Sequence, residues 1–295
     1  MSEKEVERVP LVTVITLVYN TGKYMPATLA SIKNQTYSNI QHIIVDDCST
    51  DDSVNIVEVW LAQNDYTAKF IVNKQNKGIC ENLNFLLQNF VKGKYCAFIG
   101  DDIMMPTKIE DDVKFMEARP ELAMCYSKMI IFDTQKKEEI FQNIKSSNTP
   151  FEDYIDGENH LISTPTLFIR KDTYNEVGYY DERYICEDFD MILRITHRFP
   201  IGFRDEYTIK YIVHPGSMTV SKKVKLYDDV IKILKEKWGF LPNIKYYIRK
   251  RYVIAFCQLA WTDKRAAIKY MFKSWRFAFS KQFLAGLYHL VFNWK

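Results

Sequence analysis

The hydrophobic pattern switches between two regimes along the first hundred residues. Leu11–Tyr19 is a nearly continuous apolar run rich in Val, Ile and Thr, which predicts a strand buried on both faces. Met25–Gln35 follows with Leu29 and Ile32 spaced for one helical face. Ile40–Val45 predicts a second strand, and Ser53–Gln63 a second helix with Val54, Val57 and Leu61 at helical spacing. Ala68–Val72, Gly78–Phe90 and Tyr95–Ile99 then predict strand, helix and strand. Alternation of this kind is that of an α/β layer with a mainly parallel sheet.

After Pro106 the rhythm changes. A helix is expected over Thr107–Ala118 and a strand over Ala123–Phe132, followed by a polar, irregular stretch from Asp133 to His160 that predicts a hairpin and a loop. Leu167–Arg170 is strand-like, and Lys171–Val177 predicts a short helix closed by Gly178. Glu187–Arg198 carries a helical face of Phe189, Ile192, Leu193 and Ile195, and opens with acids that favour a helix N-terminus. Tyr207–Val213 predicts a strand. From Lys223 the chain reads as helices over 224–237, 243–260, 263–279 and 281–293, with Thr262 as an N-cap.

Composition narrows the class. With 295 residues, 47% hydrophobic and 26% charged, the chain can bury a sizeable core. Six scattered cysteines form no close pair, which argues against a zinc site or a disulfide framework and for buried thiols in a reducing compartment. The charged start MSEKEVERVP has no leader-like apolar core, and no run of eighteen apolar residues occurs, so a cytoplasmic protein without a membrane span is expected. The net charge of +3 hides an asymmetry: residues 223–295 hold 16 Lys or Arg against 4 Asp or Glu, and the remainder is acidic. This basic tail is interleaved with Trp238, Tyr246, Tyr247, Tyr252, Trp261, Tyr270, Trp275, Phe279 and Trp294. It suits either contact with an anionic membrane surface or packing onto the rest of the protein, and no nucleic-acid motif accompanies it.

Carboxylates mark the candidate chemistry. Asp46-Asp47 closes the second strand and Gly100-Asp101-Asp102 the fourth, and parallel sheets bind ligands at such strand ends. Asp47 can accept a hydrogen bond from a base N–H or a ribose hydroxyl, while Asp46 can instead hold the turn. Tyr19 can lie flat against a base or be a partly buried aromatic. Lys77, in Asn76-Lys77-Gly78 before a helix, can meet a diphosphate or be a solvated loop lysine. Asp101-Asp102 can also be a solvated turn, and Glu187-Asp188 can simply favour the helix that follows.

The chain resembles the family 2 glycosyltransferases of GT-A fold over roughly residues 10–220. The resemblance rests on ordered motifs: Val18-Tyr19-Asn20; Ser31-Ile32 with Gln35-Thr36-Tyr37; Val45-Asp46-Asp47 with Ser49-Thr50-Asp51; Asn76-Lys77-Gly78 with Asn82; Gly100-Asp101-Asp102 with Pro106; and Glu187-Asp188. It implies a Rossmann-like, mainly parallel sheet flanked by helices. Residues 1–105 would be the nucleotide-sugar half, 106–222 the acceptor half and 223–295 a helical C-terminal extension. It further implies donor contacts from Leu17, Tyr19, Asp47, Lys77, Asn82 and Asp101. Mn²⁺ or Mg²⁺ would be held by Asp102 with Asp101 and His214, although Ile99 stands where the commoner family form has an acid. Asp188 would be the base of an inverting transfer, with Glu187 as its support or as an acceptor contact.

The expected function is transfer of a hexose or N-acetylhexosamine from a UDP-sugar to a hydroxyl of a glycan acceptor. A lipid-linked acceptor in bacterial surface polysaccharide assembly is expected, with the tail touching the inner face of the cell membrane. Two rivals stand beside this reading: a nucleotidyltransferase on a related sheet, which Thr21–Pro26 fits poorly, and a non-catalytic sugar-nucleotide or glycan-binding module.

Overall fold

The computed structural model describes residues 9–157, 162–278 and 280–292. They divide into two compact units. One comprises residues 9–146, 162–182 and 194–214; the other comprises residues 147–157, 183–193, 215–278 and 280–292.

The first unit carries the sheet. Its strands are β1 (Val12–Val18), β2 (Ile40–Asp46), β3 (Lys69–Val72), β4 (Tyr95–Ile99), β5 (Ile103–Met104), β6 (Met124–Asp133), β7 (Glu138–Phe141), β8 (Phe168–Arg170) and β9 (Ile201–Val213). Their order is β3-β2-β1-β4-β8-β6-β9-β5, with β7 paired to β6. β1 runs parallel to both β2 and β4, and β2 to β3, so these four strands end at one edge. The order reverses between β1 and β4, the crevice where open α/β sheets place ligands.

Apolar faces explain the packing. Helices α1 (Met25–Lys33) and α2 (Ser53–Gln63) meet β1 and β2 through Val18, Met25, Leu29, Ile44 and Val57. Helix α4 (Lys108–Glu117) sets Ile109, Val113 and Met116 against Val12, Val14, Tyr95, Ala97 and Ile99. Helix α3 (Gly78–Asn89) begins at Gly78, whose φ of +81° lies in the left-handed region that a side chain resists. Inside this unit Lys108 is fully buried and pairs with Asp112 at 2.6 Å, and Arg204 meets the same carboxylate at 2.6 Å.

Two elements differ from expectation. β9 starts at Ile201 instead of Tyr207, because the charged run Arg204-Asp205-Glu206 sits at a bulge and does not end the strand. The register shifts between Ser127 and Lys128 and again between Lys128 and Met129, so β9 spends extra residues against β6. The stretch expected to be irregular contains α5 (Pro150–Asp156), opened by a proline and closed by Gly157 at φ +85°. The end of that stretch, residues 158–160, lies outside the described residues, as do residues 1–8, Phe279 and Trp294.

The second unit is helical. α9 (Lys223–Glu236), α11 (Lys264–Ser274) and α12 (Lys281–Phe292) pack around α10 (Ile244–Ala260) through Ile231, Tyr252, Phe256, Leu259, Tyr270 and Phe283. The cap of α11 is Asp263, which accepts the Ala266 N–H at 2.9 Å, and Thr262 instead donates back to Gln258. Gly286 lets α12 approach closely, since a Cβ there would stand 2.6 Å from the Phe256 ring. Trp238, Tyr252 and Tyr270 are buried, so part of the tail's aromatic content is core. No helix among the described residues is long and apolar enough to cross a membrane.

Candidate active site

Adjacent aspartates after β2 divide the work. Asp46 accepts the Ser49 N–H at 2.8 Å and closes a turn through Cys48, which takes φ +65°. Asp47, buried, turns its carboxylate to the following loop. It accepts the N–H groups of Lys77 and Gly78, each at 2.8 Å, and the Asn73 amide at 3.0 Å. Burial alone would raise this carboxyl, but the hydrogen bonds from Lys77, Asn82, Asn73 and Gly78 outweigh it and hold it below the usual carboxylate range. Asn82 is buried and accepts from Asn73 at 2.7 Å while donating to the Gly78 carbonyl at 2.8 Å. The Lys77 ammonium lies 3.4 Å from Glu81 and over the Phe85 ring.

β1 ends beside this turn. Leu17 is half-buried opposite Val45, and Tyr19 is 48% exposed. Asn20, at φ +54°, staples the two strand ends: its side-chain amide oxygen accepts the Thr50 N–H at 2.7 Å and its backbone N–H donates to the Ser49 hydroxyl at 2.9 Å. That stapling is tertiary, and only the presence of Asn20 in the strand-end motif signalled it.

At the end of β4, Asp102 is 2% exposed and accepts the Ile212 N–H at 2.8 Å. Burial, then the charge of Asp101, push its carboxyl well above the ordinary range, and the Ile212 bond offsets this only in part. His214, delivered by β9, bonds to the Asp101 carboxylate and stacks on Tyr24 with ring centroids 4.5 Å apart. Tyr24 was not among the residues expected here. Asp101, Asp102 and His214 thus come together, and Asp47, Lys77 and Asn82 form a second group along the same sheet edge. Among the described residues no cluster of three His, Cys, Asp or Glu side chains has ready-made metal geometry.

Glu187 and Asp188 belong to the second unit, at the start of α7 (Glu187–Arg198). Burial, then the charge of Asp188, push the Glu187 carboxyl up to about 8. Asp188 accepts the Phe189 N–H at 2.7 Å. The tail helices fasten this segment: Asp229 accepts the Ile185 N–H at 2.9 Å, Lys237 meets Asp190 at 2.9 Å, and Tyr184 donates to Glu236 at 2.7 Å. Arg251, buried, lies over the Phe189 ring at 4.8 Å and donates to the Tyr154 carbonyl. The extension therefore scaffolds the acidic pair, a role its composition did not reveal.

Residues 13–178 match the family described as Glycosyl transferase family 2. An uncharacterized glycosyltransferase of Haemophilus influenzae is 29% identical over 256 residues, 83% of this chain and 76% of its own length. Another from Methanocaldococcus jannaschii is 27% identical over 251 residues, 82% of this chain and 83% of its own. Among solved structures, S. aureus TarS 1–349 in complex with UDP-GlcNAc is similar with a TM-score of 0.61 at 16% identity, covering 95% of this chain and 90% of that one. The mannosyltransferase PcManGT of Pyrobaculum calidifontis, in complex with GDP-Man and Mn²⁺, reaches 0.61 at 13% identity, covering 99% and 92%. At such identities the structural likeness speaks to the fold.

Proposed function

The chain belongs to glycosyl transferase family 2, and from that premise we propose that it moves a hexose or N-acetylhexosamine from a UDP-sugar to a glycan hydroxyl with inversion. It is a glycosyltransferase of GT-A fold, a mixed α/β sheet protein with a helical C-terminal region. The observation that carries the proposal is the sheet edge itself: an exposed Tyr19, an Asp47 that organises the 73–78 loop, and Asp101-Asp102 gather where β1, β2 and β4 end.

In this reading the Tyr19 ring stacks on the base, against a floor that includes Leu17. Asp47, whose carboxylate is already engaged by the loop, gives up one of those side-chain donors to accept from the base or ribose. Asn82 acts through Asp47 and the loop. Lys77 leaves Glu81 for the more strongly charged diphosphate, and Asp101 meets ribose or diphosphate.

Asp101, Asp102 and His214 carry the donor types that a divalent cation such as Mn²⁺ or Mg²⁺ takes, and would hold one after turning toward it from their present bonds to each other and to Ile212. Two neighbouring carboxyls, one of them buried and resisting ionisation beside the other's charge, are the groups a cation would relieve. Such an ion, when bound, supplies charge neutralisation for the departing diphosphate.

Asp188 takes the proton from the acceptor hydroxyl as its oxygen bonds to the anomeric carbon and the carbon–phosphate-oxygen bond breaks. Glu187, with its raised proton affinity, keeps its proton at neutral pH and so sets no second negative charge beside Asp188. A lipid-linked acceptor in surface polysaccharide assembly, and peripheral contact of the cytoplasmic protein with the membrane through 223–295, complete the proposal; the basic, aromatic tail supports both.

Incubating purified protein with a panel of UDP- and GDP-sugars, with and without Mn²⁺, tests it. Metal-stimulated hydrolysis of a UDP-sugar is expected. Binding without hydrolysis of any donor would favour a binding module, and nucleotide transfer in place of sugar transfer would favour a nucleotidyltransferase.

A further inference from the structure

Helix α12 is apolar on both sides. Phe283, Gly286, Leu287 and Leu290 turn toward α10, yet Leu284, Tyr288, Val291 and Phe292 also recur at helical spacing and stay exposed. Helix α11 repeats the arrangement: Ala267, Tyr270 and Ser274 are buried, and Ile268, Phe272 and Trp275 face out. These seven outward side chains are between 43% and 70% exposed. A helix that is apolar all round is ordinarily covered all round.

Charge identifies the cover. From Lys264 onward the sequence has no acidic residue, and Arg265, Lys273, Arg276 and Lys281 on or beside these helices are exposed. Lys269 is committed to Asp228 at 3.0 Å. Two apolar stripes bordered by cations, with no carboxylate on either helix and with the neighbouring Asp228 neutralised by Lys269, match the boundary of an anionic bilayer, where acyl chains accept the rings and headgroup phosphates meet the cations.

We propose that the outward stripes Ile268-Phe272-Trp275 and Leu284-Tyr288-Val291-Phe292 seat the protein on an anionic lipid surface, lying in the interface without crossing it. This narrows the peripheral contact proposed above, and rests on it, by excluding the buried Trp238, Tyr252 and Tyr270 and naming the lipid charge that is recognised.

Co-sedimentation of the full chain with phosphatidylcholine vesicles, with and without phosphatidylglycerol, tests the inference. Binding is expected only with the anionic lipid and should weaken with salt. Phe272→Glu with Trp275→Glu should lower the partition by tenfold or more, and Arg276→Gln and Lys281→Gln by about fivefold each. All these positions are exposed, so folding should survive, as circular dichroism would check. Equal sedimentation of the wild type and the variants would overturn the inference. So would a concentration-dependent dimer, seen by light scattering, that the same variants abolish. Hydrolysis of a UDP-sugar in vesicle-free solution should be unchanged in the variants. Absence of that activity in the wild type, with lipid binding intact, would count against the donor reading alone.

Discussion

Replacing Asp47 by asparagine keeps the shape of the side chain and removes its charge, which isolates what the carboxylate does for the loop after β3. The native group accepts two backbone N–H groups at 2.8 Å and the Asn73 amide at 3.0 Å. Asparagine offers one oxygen and one NH₂, so whichever way it turns, either the Lys77 or the Gly78 N–H faces another donor. A hydrogen bond to a charged group contributes about 1.5–3 kcal/mol net, against about 0.5–1.5 for a neutral one. One bond lost and the others weakened therefore come to roughly 2–4 kcal/mol. Because the loop precedes α3 and carries Lys77, the expected outcome is a lower urea midpoint together with at least a tenfold loss of UDP affinity by calorimetry. A D47N variant with the native midpoint and native affinity would refute the reasoning.

Three further outcomes are expected. Asp188→Asn should leave donor binding intact and lower transfer by about 10²–10⁴-fold in steady-state assays, and near-normal turnover would remove Asp188 from the role of base. Asp112→Ala strands the buried Lys108 cation and takes from Arg204 one of its carboxylates, leaving it Asp111 and Glu206, and should cost about 3–5 kcal/mol in chemical denaturation, whereas Lys108→Met, which keeps the Arg204–Asp112 pair, should cost much less. Glu187 binds its proton more tightly in the fold than in the unfolded chain. Its contribution to stability is therefore present below the usual carboxylate pKa and lost as pH rises through about 8. Turnover should fall along the same alkaline limb, and a Glu187→Gln variant that retains the limb would argue against this assignment.

Much of the sheet was legible because runs such as Val12–Val18, buried but for the half-buried Leu17, and Tyr95–Ile99, buried throughout, leave a nearly unbroken apolar signal. The first half of β9 was not legible, since a bulge lets Asp205 and Glu206 point outward in the middle of a strand. Asp46 and Asp47 were visible as a pair, and only the fold decides which holds the turn and which holds the loop. Composition alone left the tail open between packing and surface contact. Tyr270, fully buried, and Trp275, largely exposed, sit five residues apart in equally basic surroundings, and only the helix phase separates them.

The irregularity between β6 and β9 has a reach beyond its own neighbourhood. β9 runs alongside β6 to the Asp133–Val213 pair and hands the chain directly to His214. Side chains alternate faces at every step of a strand, so the surplus residues at the bulge set the phase in which that imidazole arrives. Deleting a single residue at 205 or 206 would draw His214 back one step and turn it to the opposite side of the ribbon. Its grip on Asp101 would be lost without any change to either partner.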